Sequence, residues 1–153
     1  MIEIAAITVL AALFVDRQGF QRVTLRRGLR VYHGTCSDES WENDDIPMAP
    51  FWVSESPQVA EGFKTWHQDT EESECQRVLV YELTRDIEDL VVLHGLMEMK
   101  RWLAYIGLDP ECWGAQEAAE ATCDHAGGWI IEGNYPEGHD IMLCDTTALR
   151  LVP

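Results

Sequence analysis

Positive charge is what this sequence has least of. Lys and Arg together number 11 against 27 Asp and Glu, for a net charge of −16. A surface of that sign repels phosphate backbones and draws basic proteins toward it. Broad binding to bare DNA or RNA is not expected on this ground, and a protein partner with a basic surface is. Cysteines at metal-ligand spacing are missing too. Cys36, Cys75, Cys112, Cys123 and Cys144 include no C-x-x-C pair. An odd, scattered set argues against a disulfide framework and for a reducing compartment. Cys112, Cys123 and His125 come nearest to a metal pattern, but their spacing matches no zinc knuckle, so no metal is expected.

Long hydrophobic runs are absent as well. The apolar stretch over residues 4–15 is about a dozen residues, short of the ~20 that a spanning helix requires. No basic residue precedes it, unlike the start of a signal peptide. The first 20 residues are therefore expected to pack on the domain as helix or strand, in a cytoplasmic protein without membrane contact. Repeats, low-complexity tracts and linkers are lacking. What remains is ordinary for a globular chain: 153 residues, 46% hydrophobic and 25% charged. That suits one domain over residues 1–153 with a real core.

Along the chain, residues 20–33 read as strand, with Val23, Leu25, Leu29 and Val31, and end at His-Gly-Thr. Residues 36–50 are polar and Pro-containing, hence a loop. Phe51-Trp52-Val53-Ser54 is an aromatic, β-branched strand. Ser56-Pro57 opens a helix with Val59, Ala60 and Phe63 on one face. Residues 77–83 form the clearest strand, and residues 96–106 have helical spacing. Asp109-Pro110-Glu111 predicts a second helix reaching Ala126, stopped by Gly127-Gly128. Two strands, 129–131 and 140–144, follow across a polar turn from Glu132 to His139, and residues 149–152 close as a strand. The pattern is α+β, strand-rich at both ends.

Three elements carry chemistry. Tyr32-His33-Gly34-Thr35 ends a strand: a glycine lets a flat ligand approach the backbone, and the adjacent histidine is able to hydrogen-bond a ribose hydroxyl. Trp52 and Phe63 supply aromatic faces for stacking a ring. Asp140 opens the last long strand with a carboxylate. In this order and spacing the elements resemble the ADP-ribosyltransferase superfamily, in its diphtheria-toxin-like and poly(ADP-ribose)-polymerase-like branch. That branch carries a His on an early strand, an aromatic on the next and a Glu on a late one. The likeness spans roughly residues 29–152. Small phage-encoded members, including ADP-ribosylating anti-CRISPR proteins, are similar in size, in acidity and in an Asp at the third position.

The resemblance implies a split β-sheet core with flanking helices, and NAD as the substrate. It gives His33 the adenosine-side ribose and Gly34 the nicotinamide carboxamide through its backbone. Trp52 and Phe63 would stack, with Tyr32 a further aromatic and Thr35 and Ser54 completing the pocket. Asp140 would orient the nicotinamide ribose and assist the acceptor, which is expected to be a protein. Two departures stand out: Trp52 replaces the usual Tyr, and Asp140 replaces Glu, with a side chain shorter by about 1.5 Å. Glu132 and Glu137 flank the same turn and offer a longer arm. Arg30 and Lys64 are the cations nearest in sequence for the dinucleotide phosphates. A pseudoenzyme that binds NAD without turnover, and an acidic inhibitor that mimics nucleic acid, are the competing readings. A thiol hydrolase using Cys36 beside His33 lacks a third, orienting residue.

Overall fold

The computed structural model describes residues 13–35, 47–65 and 77–153. The stretch before Leu13, most of the polar loop (with Cys36) and residues 66–76 (with Cys75) lie outside the described residues, as do the side chains of Phe63 and Lys64. Nine strands and three helices occur among the described residues. In order they are β1 (Leu13–Val15), β2 (Gln21–Leu25), β3 (Arg30–Thr35), β4 (Phe51–Val53), α1 (Pro57–Thr65), β5 (Arg77–Leu83) and β6 (Ile87–His94). There follow α2 (Leu96–Tyr105), α3 (Ala115–Thr122), β7 (Gly128–Tyr135), β8 (Gly138–Leu143) and β9 (Leu149–Leu151).

The fold is mixed α+β, with more strand than helix. Six strands form one sheet in the order β1-β2-β6-β7-β8-β4, and three form another in the order β3-β5-β9. All pairs are antiparallel except β6 with β7. A parallel pair needs a long crossover, and the segment holding α2 and α3 supplies it.

Alternation along the strands makes two cores. Val23, Val31, Val53, Leu90, Ile130 and Ile141 belong to the cluster between the two sheets. Val91, Leu93, Trp129, Ile131 and Met142, one residue out of step, belong to the cluster under α2 and α3. The large sheet is thus covered on both faces, which is why β6 and β7 read as continuous apolar runs rather than alternating ones. Helix α2 is fixed at Trp102, fully buried. Phe20 meets it edge-on at 5.1 Å, and its indole Nε1 donates to Thr122 Oγ1 of α3 at 3.0 Å.

Several expectations need correction. The strand expected over residues 20–33 is two strands in different sheets, separated by a turn with Gly28 at φ 92°. The central strand β6 had no counterpart in the sequence reading. The second helix starts at Ala115 and ends at Thr122. Asp109 instead closes a local turn, its Oδ1 accepting the Glu111 N–H at 2.9 Å, a side-chain alternative to helix. The β7–β8 strands extend so far that Glu132 and His139 are strand residues. Cys123 and Cys144 form a disulfide across 21 residues of sequence. Cys123 caps α3 and Cys144 follows β8, so tertiary folding creates a proximity that their spacing conceals. The disulfide also removes the argument from free thiols to a reducing compartment; Cys112 is free and exposed.

Candidate active site

Strands β3 and β4 belong to different sheets and meet at one bridge, Tyr32 with Ser54. Tyr32 N–H donates to Ser54 O at 2.8 Å, and Ser54 N–H donates to Tyr32 O at 3.0 Å. In an antiparallel ladder the next reciprocal pair would be Gly34 with Trp52. There the Trp52 carbonyl is instead taken by the His33 ring, with Nδ1 at 2.7 Å. Backbone direction alternates along a strand, so the N–H and C=O of Gly34 point, like those of Tyr32, toward the β4 side. They face the opening where β3 and β4 part.

A pocket of about 270 Å³ is lined by His33, Pro47, Met48, Pro50, Phe51 and Trp52; Gly34 and Asp140 are not among its lining residues. The His33 ring lies over Phe51 at 4.3 Å with the planes 32° apart. Burial lowers the His33 pKa below its ordinary value, and the bond to the Trp52 carbonyl opposes that only in part. A carbonyl can only accept, so Nδ1 carries the proton. In the neutral ring Nε2 is then an acceptor, suited to a hydroxyl donor.

Register places the other residues. In β4–β8, Trp52 pairs with Met142 and Val53 with Ile141, so one step further Ser54 lies beside Asp140. Asp140 also pairs with Ile131 on β7. Trp52 packs with the helix-side core and Phe51 with the inter-sheet core. The structure therefore sets His33 and Phe51 on one side of the seam between the sheets. Trp52, Ser54 and Asp140 are on the helix-side face of the large sheet. Ser54 is fully buried; its hydroxyl donates to Glu55 Oε1 at 3.1 Å and accepts the Ser56 N–H at 3.1 Å. Thr35 is buried, and Tyr32 is half-buried. Phe63 lies in α1, which packs on β3.

Comparison of the chain with protein-family models, curated proteins and solved structures yields no match.

The carboxylates Glu132 and Glu137 lie apart from the seam. Glu132 is bound to His94 Nδ1 at 2.6 Å on the β6 side, and Glu137 is exposed in the hairpin turn. Besides Glu55 on the Ser54 hydroxyl, two residues near the seam escaped the sequence reading. Tyr135 has its phenol pushed above the ordinary value by burial and then by the Asp140 charge. Arg77 pairs with Thr35 across β3–β5, so it extends from the same face as His33. Arg30 sits at the opposite end of β3 and pairs with Glu82 at 3.8 Å. Only strand pairing reveals Arg77; the chain separates it from His33 by 44 positions. Among the described residues no group of three or more His, Cys, Asp or Glu is arranged to hold a metal ion, and no helix is long and apolar enough to cross a membrane.

Proposed function

We propose that the protein is an NAD-dependent ADP-ribosyltransferase with the split-sheet fold of that superfamily, acting on a basic protein. One observation carries this reading: β3 and β4 part beyond the Tyr32–Ser54 bridge, so the Gly34 backbone donor and acceptor face the gap next to an oriented His33, which itself lines a pocket. A primary carboxamide is the ligand that such a strand edge fits, because it presents one donor and one acceptor in a plane. The pocket's 270 Å³ has room for a ribose-sized group, less than the space a whole dinucleotide fills. NAD would therefore lie across the seam, its adenosine ribose at His33 and its nicotinamide at Gly34 and Trp52. Arg77 lies on the His33 face, where it would meet phosphate.

In the reaction the bond between the ribose anomeric carbon and the pyridinium nitrogen breaks. Its electron pair stays on nicotinamide, which leaves neutral. The acceptor nucleophile forms the new bond to the anomeric carbon and gives up a proton. Positive charge grows on the ribose during this step, and a carboxylate held nearby lowers its energy. Asp140, beside Ser54 and facing away from the Glu132–His94 pair, is the residue assigned to that role.

The test is nicotinamide release and label transfer from NAD. Wild type should release nicotinamide and label a basic acceptor protein. Asp140→Ala should lose on the order of 10²-fold or more in kcat while retaining NAD binding by calorimetry. Full activity in Asp140→Ala, with loss in Glu132→Ala or Glu137→Ala, would move the catalytic role. NAD binding without turnover by wild type would favour the pseudoenzyme.

A further inference from the structure

The start of β8 is held by a side chain rather than by a strand. On one side the β7–β8 ladder is interrupted between Ile131 and Tyr135, with Gly133 at φ 99° in the irregular stretch. On the other side β4 ends at Val53, so Glu55, the position that continued register would set opposite His139, lies beyond the strand. The N–H of His139 would be left without a ladder partner. Glu55 fills the vacancy: its Oε1 accepts the His139 N–H at 2.8 Å, and its Oε2 meets the His139 ring at Nδ1. The His139 side chain is 1% exposed and that of Glu55 20%. His139 Nε2 is buried with no hydrogen bond of its own, so the Glu55 contact is what anchors the ring. The fit is close enough to require glycine next door, since a Cβ on Gly138 would come 2.8 Å from Glu55 Oε1 and 2.6 Å from Ser56 Cβ.

We infer that Glu55 and His139 are a positioning pair for Asp140. The carboxylate stands in for a backbone carbonyl where β4 departs, fixing the residue before Asp140 and hence the carboxylate's approach to the seam. The catalytic half of this inference rests on the transferase reading; the structural half, that Glu55 fixes the start of β8, does not. Glu55 is not among the residues that line the pocket and also accepts the Ser54 hydroxyl at 3.1 Å, so it acts through the strand ends it holds, Ser54 and His139 before Asp140, and not on the ligand.

The experiment compares wild type, Glu55→Ala and Glu55→Gln by amide hydrogen exchange and by steady-state nicotinamide release. In Glu55→Ala the amides of His139 and Asp140 should lose protection while those of Ile130 and Ile141 keep it. Its kcat should fall on the order of 10²-fold, the cost of about 1 Å of misplacement, with KM for NAD nearly unchanged. Glu55→Gln keeps a carbonyl acceptor and should stay within about fivefold of wild type, the difference between a charged and a neutral hydrogen bond. Unchanged protection of His139 in Glu55→Ala overturns the inference, as does full kcat in that variant. A Glu55→Gln as impaired as Glu55→Ala also overturns it, by showing that the charge acts directly. Wild type without nicotinamide release sinks the transferase reading alone, and the exchange data then decide the structural half. If Glu55→Ala does not fold, Glu55→Asp, shorter by about 1.5 Å, takes its place with the same criteria.

Discussion

His33 combines burial, a ring stack and a fixed tautomer, and its protonation is therefore linked to stability. Burial holds its folded pKa below the ordinary 6.5, so the unfolded chain binds the proton first as pH falls. The stability of the neutral ring is whole above pH 6.5, is lost as pH falls from there toward the lowered folded value, and levels off beneath it. His33→Phe keeps an aromatic on Phe51 but cannot titrate. Wild type should lose more stability than His33→Phe between pH 7.5 and 5 in urea unfolding; equal losses would show that His33 is solvated. Part of the pocket was legible in sequence: His33 and Trp52 line it, whereas Gly34 and Asp140 do not. Arg77, Tyr135 and Glu55 were not, because each reaches the site through a pairing with a distant segment.

Strands with apolar residues bounded by turns were the most readable elements, and β4, β5 and β9 lie where the pattern puts them. The opening of α1 at Pro57 and most of α2 also follow from local signals. The second helix was overextended because Asp-Pro-Glu serves an Asx turn as well as a helix start, and local chemistry cannot distinguish the two. The run Leu90–Leu93 in β6 carries no alternation, since both faces of that strand are covered. The paired glycines expected to stop that helix serve instead at the entry to β7. Gly128 has φ 147°, and a Cβ there would lie 2.0 Å from the Met142 carbonyl oxygen. Backbone cannot yield as a side-chain tip can, so Gly128→Ala should destabilise by more than about 3 kcal/mol. A lowered melting temperature or loss of soluble protein would register it; a wild-type melting curve would mean that the β7–β8 approach is looser than described.

For the whole molecule the dominant property is charge. A net −16 would favour encounter with the proposed basic acceptor and penalise approach of NAD, itself an anion. The two steps should respond oppositely to salt. Raising ionic strength from about 50 to 300 mM shortens the screening length by roughly 2.5-fold, so transfer to a basic protein should slow while nicotinamide release into water holds or rises. Parallel slowing of both would place the salt effect in the NAD step rather than in docking.

The reciprocal pair of bonds between Tyr32 and Ser54 has a consequence for how such a molecule changes over generations. Each sheet keeps its own ladder, and the distance between β3 and β4 beyond that bridge is set by the bulk of side chains such as Phe51 and His33. Exchanging one of these for a larger or smaller ring alters the width of the mouth without breaking a strand pair in either sheet. The width of the mouth is thus free to drift through ordinary packing substitutions, while both ladders stay as they are.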